Sequence, residues 1–176
     1  MDYFSTRGAS ERVSSAEAIL QGLASDGGLF VPNAFPQMTR SEIAALAPLS
    51  YEERAVAILR LFLTDYTDEE LRGCVERAYG HTFDDVRRAP VRAVGELEML
   101  ELWHGPTSAF KDMALQLLPQ LMSAARAKEG ERDTILILVA TSGDTGKAAL
   151  EGFADADGIE IMVFYPDGGV SPVQRL

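Results

Sequence analysis

A repeated helix-start signal is the feature that most constrains how the first part of the chain can fold. In a capping box a Ser or Thr hydroxyl accepts a hydrogen bond from a first-turn backbone N–H, and a Glu three residues later accepts one from the N–H of the cap residue. This spacing occurs at Ser14–Glu17, Thr39–Glu42, Ser50–Glu53 and Thr67–Glu70. Apolar residues follow at helical spacing. The sequence therefore predicts a mainly helical N-terminal domain over residues 1–89.

The patterning changes after Pro90, where strand signals replace helix signals. Residues 134–139 are a continuous apolar run, which is typical of a strand buried on both faces. A helix pattern at 145–154 and a strand pattern at 159–165 follow, which predicts a parallel βαβ unit with a right-handed crossover. Shorter strands are predicted at 91–94 and 98–102. Residues 90–176 are therefore predicted to begin a doubly wound α/β domain that this chain does not complete.

Charge and composition exclude several kinds of partner. The net charge is −11 and the pI is near 4.6, which argues against a nucleic-acid footprint and against an anionic membrane surface. Cys74 is the single cysteine, so an intrachain disulfide is excluded and a reducing, cytoplasmic location is predicted. Neither a signal-peptide pattern nor an apolar run of about 20 residues is present. Two histidines and one cysteine do not make a usual structural zinc site, so no metal is predicted.

A lysine stands where a loop turns into a helix. Gly105 and Pro106 mark the loop, and Lys111 follows at its end beside an apolar segment. Desolvation and the positive end of the helix dipole both favour a neutral amine there. A neutral amine can attack a carbonyl carbon and form a Schiff base. Position alone nevertheless favours a plainer interpretation, in which Lys111 is a surface lysine of the first helical turn.

One long helix is predicted to follow Lys111. Pro119 lies inside it and is expected to kink it, because proline removes a helix hydrogen bond. The residues predicted to face inward are Met113, Leu117, Leu118, Leu121 and Met122.

The segment 141–146 lies between the buried strand and the next helix. Backbone N–H groups and the helix dipole converge on an anion at such a junction, and open α/β sheets bind ligands at the carboxyl ends of their strands. A tight turn with a polar cap is the alternative interpretation. The segment 143–147 also partly matches a nucleotide P-loop. That motif needs Gly at 141 and Ser or Thr at 148, where this chain has Thr141 and Ala148, so the P-loop is excluded.

Four sequence blocks occur in the order found in one known family. The segment His104–Asp112 resembles the cofactor-lysine segment of the threonine synthases. Residues 140–146 and 165–175 resemble the same family, and so do residues 5–8 together with residues 22–29. The chain is thus identified as similar to the N-terminal portion of these pyridoxal-phosphate enzymes of the tryptophan-synthase-β type. The resemblance implies a three-layer, mostly parallel sheet (fold type II) for the second domain.

The resemblance also implies roles at the cofactor. Lys111 would be the catalytic residue and would hold pyridoxal 5'-phosphate as a Schiff base. Phe110 and Asp144 would border the cofactor, with Asp144 near the ring hydroxyl, and Asp112 would orient neighbouring groups. Ser108 stands where the family pattern leads us to expect Leu.

The implied substrate is O-phospho-L-homoserine, which reacts with water to give L-threonine and phosphate. Thr141, Ser142, Gly143 and Thr145 would bind its carboxylate. The family's cofactor-phosphate loop and the residue that meets the pyridine nitrogen are not found in the chain. We therefore expect an inactive fragment, which could form homo-oligomers through unpaired strand edges.

Two other classes of function stay open at this point. One is another fold-type-II lyase, such as a serine/threonine dehydratase or a cysteine-synthase-like enzyme, although their lysine segments usually lack His-Gly-Pro-Thr before the lysine. The other is a non-catalytic threonine-synthase-like protein that binds phosphate or a partner.

Overall fold

Short antiparallel strands open the chain. In the computed structural model, which describes residues 1–9, 11–141 and 143–172, β1 (Tyr3–Ser5) lies between β2 (Arg12–Val13) and β3 (Phe30–Pro32). Pro32 is the last residue of β3. Because β3 is an edge strand, the missing N–H of proline leaves no ladder hydrogen bond unmade.

The carboxylate of Asp26 links residues 5–8 to residues 22–29, which are the two parts of one of the four sequence blocks. It accepts hydrogen bonds from the Ser5 hydroxyl at 2.6 Å, from the Gly28 N–H at 2.9 Å and from the Ala9 N–H at 3.0 Å. These bonds, first the one from Ser5 and then the one from Gly28, lower the pKa of Asp26. The segments 5–8 and 22–29 therefore form one loop structure, although about fifteen residues separate them in the sequence.

Helices follow at all four predicted capping boxes. They are α1 (Ser15–Gln21), α2 (Arg40–Leu46), α3 (Tyr51–Phe62) and α4 (Asp68–Tyr79), and each begins one residue after its Ser or Thr. In each helix both hydrogen bonds of the box are made. Gly80 is the C-terminal cap residue of α4. The helical character of the N-terminal region is thus confirmed.

The next element is an antiparallel hairpin of β4 (Val91–Val94) and β5 (Leu97–Leu100). Gly95 makes its turn with a φ of +63°, a value that glycine adopts without steric cost. Both predicted strands are present, although β5 ends two residues before the predicted boundary. All eight strand residues are exposed in this chain.

The predicted long helix after Lys111 is wrong, because the chain forms two helices there. These are α5 (Asp112–Leu115) and α6 (Leu118–Glu129), and Pro119 lies in the first turn of α6. Proline lacks an N–H and clashes with the preceding turn, so it starts a helix more readily than it continues one. Leu118 was predicted to face inward but is 36% exposed, whereas Leu121 and Met122 are buried as predicted.

Helix α6 shares a core with the N-terminal helices. Leu121 and Ala125 of α6 pack with Leu71, Cys74 and Ala78 of α4. Cys74 is fully buried within this core. The division into domains at residues 89 and 90 stays a prediction.

A parallel βαβ unit completes the described chain. It consists of β6 (Ile135–Ala140), α7 (Asp144–Phe153) and β7 (Ile159–Phe164), with β6 paired in parallel to β7. The prediction that β6 is buried on both faces is wrong: Leu136 and Leu138 are 48% and 62% exposed. The opposite face packs with α6 and α7 around Met122 and Phe153. The helices therefore cover only one side of these strands.

No helix in the described ranges is both long and apolar enough to cross a membrane. The same residues contain no group of three or more His, Cys, Asp or Glu side chains that could hold a metal ion.

Candidate functional site

A buried carboxylate fixes the loop that leads to Lys111. Asp112 is fully buried and accepts hydrogen bonds from the Thr107 N–H at 2.9 Å and the Thr107 hydroxyl at 2.6 Å. A Cβ atom on Gly105 would lie 2.5 Å from the Asp112 carboxylate, so only glycine fits at that position. Asp112 therefore orients the loop, which is the role that the family resemblance implies for it.

Ser108 turns the chain inside this loop. Its φ is +58°, and its N–H donates to the carbonyl of Gly105 at 3.1 Å. A non-glycine residue in the left-handed region costs about 1–2 kcal/mol. The hydrogen bonds around Asp112 offset that cost. The side chain of Ser108 is exposed, so the departure from Leu at this position leaves the buried part of the loop unchanged.

Lys111 is half-buried at the end of the loop, immediately before α5. Its amine donates a hydrogen bond to the hydroxyl of Thr145 on α7. The same amine lies 5.8 Å from the ring centroid of Phe110, whose side chain is 63% exposed. Because α5 has only four residues, its dipole is weaker than the dipole of the predicted long helix.

The sequence block at residues 140–146 lies at the junction between β6 and α7, as predicted. The Thr141 N–H donates to the carbonyl of Phe164 at 2.9 Å and so extends the pairing of the two strands. The Thr141 hydroxyl accepts from the Gly143 N–H at 3.2 Å and donates to the Gly143 carbonyl at 3.4 Å. Asp144 is exposed at the start of α7. Ser142, a predicted carboxylate ligand, lies outside the described residues.

Two glycines allow α7 to approach its neighbours. A Cβ atom on Gly146 would lie 2.2 Å from Cγ2 of Thr141, and one on Gly152 would lie 2.0 Å from the carbonyl oxygen of Leu115. Gly146 therefore permits close packing of α7 on the strand junction, and Gly152 permits close packing on α5. These two approaches place Thr145 next to Lys111. The sequence signal for them was a pair of glycines inside one helical pattern.

The structure brings together two predicted site residues that the sequence analysis had assigned to different partners. Lys111 was assigned to the cofactor and Thr145 to the substrate carboxylate, but their direct contact was not predicted. Phe110 lies beside them, and Thr141 and Gly143 lie at the other end of the same junction.

Sequence reasoning missed His104 as an interacting side chain. Its Nδ1 lies 2.6 Å from Asp84 and its Nε2 lies 2.8 Å from Glu101. The hydrogen bonds to Glu101 and then to Asp84 raise the pKa of His104 above its ordinary value. No linear pattern could reveal this site, because Asp84 precedes the histidine by twenty residues.

Lys111 is half-buried at the end of a loop that the buried carboxylate of Asp112 holds in place. Its amine contacts the hydroxyl of Thr145, next to the junction where β6 ends and α7 begins. This fold and site define an α/β protein of the fold-type-II class, represented by its helical N-terminal region and its first parallel strands. The solved structure of pyridoxal-phosphate-bound threonine synthase from Brucella melitensis matches with a TM-score of 0.91 and 43% identity, over 99% of this chain and 37% of that one.

Sequence comparisons give the particular family. The family model described as "Threonine synthase N terminus" matches residues 2–79. Over 177 residues the chain is 45% identical to threonine synthase of Pseudomonas aeruginosa, covering 99% of this chain and 37% of the relative. Over 169 residues it is 41% identical to human threonine synthase-like 1, covering 91% of this chain and 22% of the relative. The chain belongs to the threonine synthase family and corresponds to its N-terminal portion.

Proposed function

We propose that this chain is the N-terminal portion of a threonine synthase that converts O-phospho-L-homoserine and water to L-threonine and phosphate. The observation that carries the proposal is the contact between the Lys111 amine and the Thr145 hydroxyl. Similarity to proteins named threonine synthase supports it. The chain spans 37% of the length of the Pseudomonas relative. The activity is therefore proposed for the complete protein and not for this chain alone.

The residues at the site fit pyridoxal phosphate. An aldehyde-bearing cofactor needs a primary amine that can reach its carbonyl carbon, and the half-buried amine of Lys111 meets this need. The exposed ring of Phe110 offers an apolar wall beside that amine. When bound, pyridoxal phosphate supplies an electron sink for chemistry at the carbons next to the substrate amino group. We propose Asp144 near its ring hydroxyl.

Lys111 would then act as the residue that moves protons at the substrate Cα and Cβ. Thr145 fixes the position of the amine, because its hydroxyl accepts the hydrogen bond from Nζ. Asp112 and Thr107 hold the backbone just before Lys111, so the amine is presented from a rigid loop. An amine held in this way loses less conformational entropy when it reaches a reactive geometry.

The start of α7 is the proposed site of the substrate carboxylate. Among the described residues, no side chain caps this ten-residue helix, and the positive end of a helix dipole favours an anion. Thr141, Gly143 and Thr145 lie at this end, and Ser142 is proposed with them. The Thr141 hydroxyl would exchange its 3.4 Å bond to the Gly143 carbonyl for a bond to the carboxylate.

The decisive experiment is borohydride reduction of the complete protein with pyridoxal phosphate, followed by peptide mapping. The pyridoxyl group is expected on Lys111. A label on Lys128 or Lys147 in its place would contradict the assignment. Lys111→Ala is the matched variant, and it should remove both the label and the release of phosphate from O-phosphohomoserine.

A non-catalytic threonine-synthase-like protein is the second candidate, favoured by the 41% identity to human threonine synthase-like 1. Such a protein would bind phosphate or a partner without forming threonine. A dehydratase would instead release a keto acid from serine or threonine. Assays of the complete protein for phosphate, threonine and keto acid distinguish all three. The cytoplasmic location stays a prediction.

A further inference from the structure

A single histidine at the start of the lysine loop binds two carboxylates from different parts of the chain. The imidazole of His104 is 13% exposed and lies between Asp84, which follows α4, and Glu101, which follows β5. The backbone N–H of Asp84 also donates to the carbonyl of His104 at 3.0 Å. Residues 84 and 104 are therefore joined by both main chain and side chain.

The geometry requires protons on both ring nitrogens. A carboxylate only accepts hydrogen bonds, whereas a neutral imidazole has one N–H donor and one acceptor nitrogen. Contacts of 2.6 Å to Asp84 and 2.8 Å to Glu101 are both satisfied only when His104 is an imidazolium. The raised pKa of His104 agrees with this geometry.

Other charged groups surround the imidazole and balance it. Arg92 contacts Glu101 at 3.7 Å and Asp85 at 3.4 Å, and Arg87 contacts Asp85 at 2.9 Å. The ring of Trp103 flanks His104, with centroids 5.7 Å apart. The three carboxylates of Asp84, Asp85 and Glu101 are thus matched by two guanidinium groups and the imidazolium. A neutral His104 keeps one N–H and can therefore donate to only one of the two carboxylates.

We propose that His104 is a positioning residue, whose imidazolium ties the start of the lysine loop to the N-terminal helical region through Asp84. The loop then has two anchors on either side of its turn. Asp112 is the internal anchor, because it binds Thr107 inside the loop. His104 is the external anchor, because Asp84 lies outside the loop. The consequence for Lys111 rests on the proposed function, whereas the anchor itself does not.

The anchor is strongest when His104 is charged and weakens as pH rises. The pKa of His104 is raised in the folded protein, so its contribution is complete below the ordinary value of 6.5 and falls as pH rises through the folded-state value. Above that value the loop keeps the Asp112 anchor, the main-chain bond between Asp84 and His104 and one imidazole bond, but it loses the charge attraction and the second imidazole bond.

The first test is an NMR titration of labelled histidines in the complete protein. His104 is expected to titrate above 6.5, and Asp84→Asn should lower its midpoint. Because the side chain of Asp84 is 78% exposed, this variant leaves the core intact. His104→Gln identifies the His104 signal by its disappearance. His81→Gln changes a side chain that is 93% exposed and should leave the His104 midpoint unchanged. A His104 midpoint at or below 6.5, or one that Asp84→Asn does not move, would overturn the proposal.

The second test is amide hydrogen exchange of residues 105–111 as a function of pH, corrected for intrinsic rates. In the wild type, protection should fall about three- to tenfold as pH rises through the His104 midpoint. His104→Gln should show low protection without this step, and His81→Gln should keep the step. Equal profiles for the wild type and His104→Gln would overturn the proposal. If His104→Gln does not fold, Asp84→Asn supplies the same comparison.

A third measurement connects the anchor to Lys111. The affinity of the complete protein for pyridoxal phosphate should decrease in His104→Gln at pH values below the wild-type midpoint, and the two proteins should converge above it. Absence of any cofactor on Lys111 would refute the proposed function and leave the first two tests valid. A cofactor affinity that is unchanged in His104→Gln would refute the link between the anchor and Lys111.

Discussion

Lys111 donates a hydrogen bond from its side-chain amine to the hydroxyl of Thr145, a residue 34 positions further along the chain. The two residues come from the two sequence blocks that were predicted to serve the cofactor and the substrate. Their contact means that Thr145 lies both beside the amine proposed to hold the cofactor and in the proposed carboxylate site. Substitutions at Thr145 should therefore affect both.

Thr145→Val in the complete protein removes the acceptor for the Lys111 amine while it preserves side-chain volume. We expect kcat/KM to fall about tenfold or more, because the hydrogen bond that positions the Lys111 amine is lost. Steady-state kinetics with O-phosphohomoserine and the absorbance of bound cofactor provide the measurement. Thr145→Ser keeps the hydroxyl and should remain within a few-fold of the wild type. Equal losses in both variants would assign the effect to packing.

Thr141→Val tests the proposed carboxylate site. The hydroxyl of Thr141 organises the turn through Gly143 and is proposed to donate to the substrate. The variant should lose about ten- to a hundredfold in kcat/KM with its cofactor retained, and Thr141→Ser is the control. Normal kinetics in Thr141→Val would show that the segment is only a turn.

Gly152→Ala tests the close approach of α7 to α5. The new methyl group would meet the Leu115 carbonyl oxygen at 2.0 Å, so we expect a loss of about 1–3 kcal/mol in the free energy of unfolding. Gly73→Ala in α4 is the matched control, because its new methyl group would meet only the flexible end of Arg77 at 3.1 Å. That change should stabilise the helix by up to about 1 kcal/mol. Denaturant unfolding of both variants measures whether each substitution raises or lowers the free energy of unfolding.

Asp112→Asn tests the internal anchor of the lysine loop. One of the oxygens that accept from Thr107 becomes an NH2 group, so the Thr107 hydroxyl must turn to accept from it and two bonds to a carboxylate are replaced by weaker bonds to a neutral amide. We expect a loss of about 1–3 kcal/mol in the free energy of unfolding. Thr107→Val completes a double-mutant cycle, in which the double variant should cost less than the sum of the single ones. Strict additivity would show that Asp112 stabilises the protein through other contacts.

The chain of residues 1–176 alone is predicted to associate and not to catalyse. One apolar face of the β6–β7 pair, including Leu138 and Phe164, is exposed, and unpaired strand edges invite association. Sedimentation should show a dimer or a larger species, and Leu138→Glu should weaken it. A strictly monomeric wild type would contradict the prediction of association, and measurable phosphate release from O-phosphohomoserine would contradict the prediction of inactivity.

Local signals in the sequence were sufficient for much of the fold. Each capping box joins residues three apart, so a pattern such as Ser50–Glu53 contains both partners of the hydrogen bonds that start the helix. The break before Pro119 also follows from a local rule, namely that proline favours the first turn of a helix. The family resemblance identified Lys111 and Thr145 as candidate site residues for the same reason: each lies within a short continuous motif.

The sequence by itself thus indicated where the four N-terminal helices begin, that a parallel βαβ unit follows, and which short motifs are proposed to carry chemistry. Only the tertiary structure decided which motifs meet, because contacts between distant residues depend on how closely whole elements pack. Lys111 reaches Thr145 because Gly146 and Gly152 lack side chains that would hold α7 away. His104 reaches Asp84 because the lysine loop passes beside the end of α4. The exposed side of β6 was likewise decided by the position of the helices, which pack on one face of the strands and leave the alternate residues in solvent.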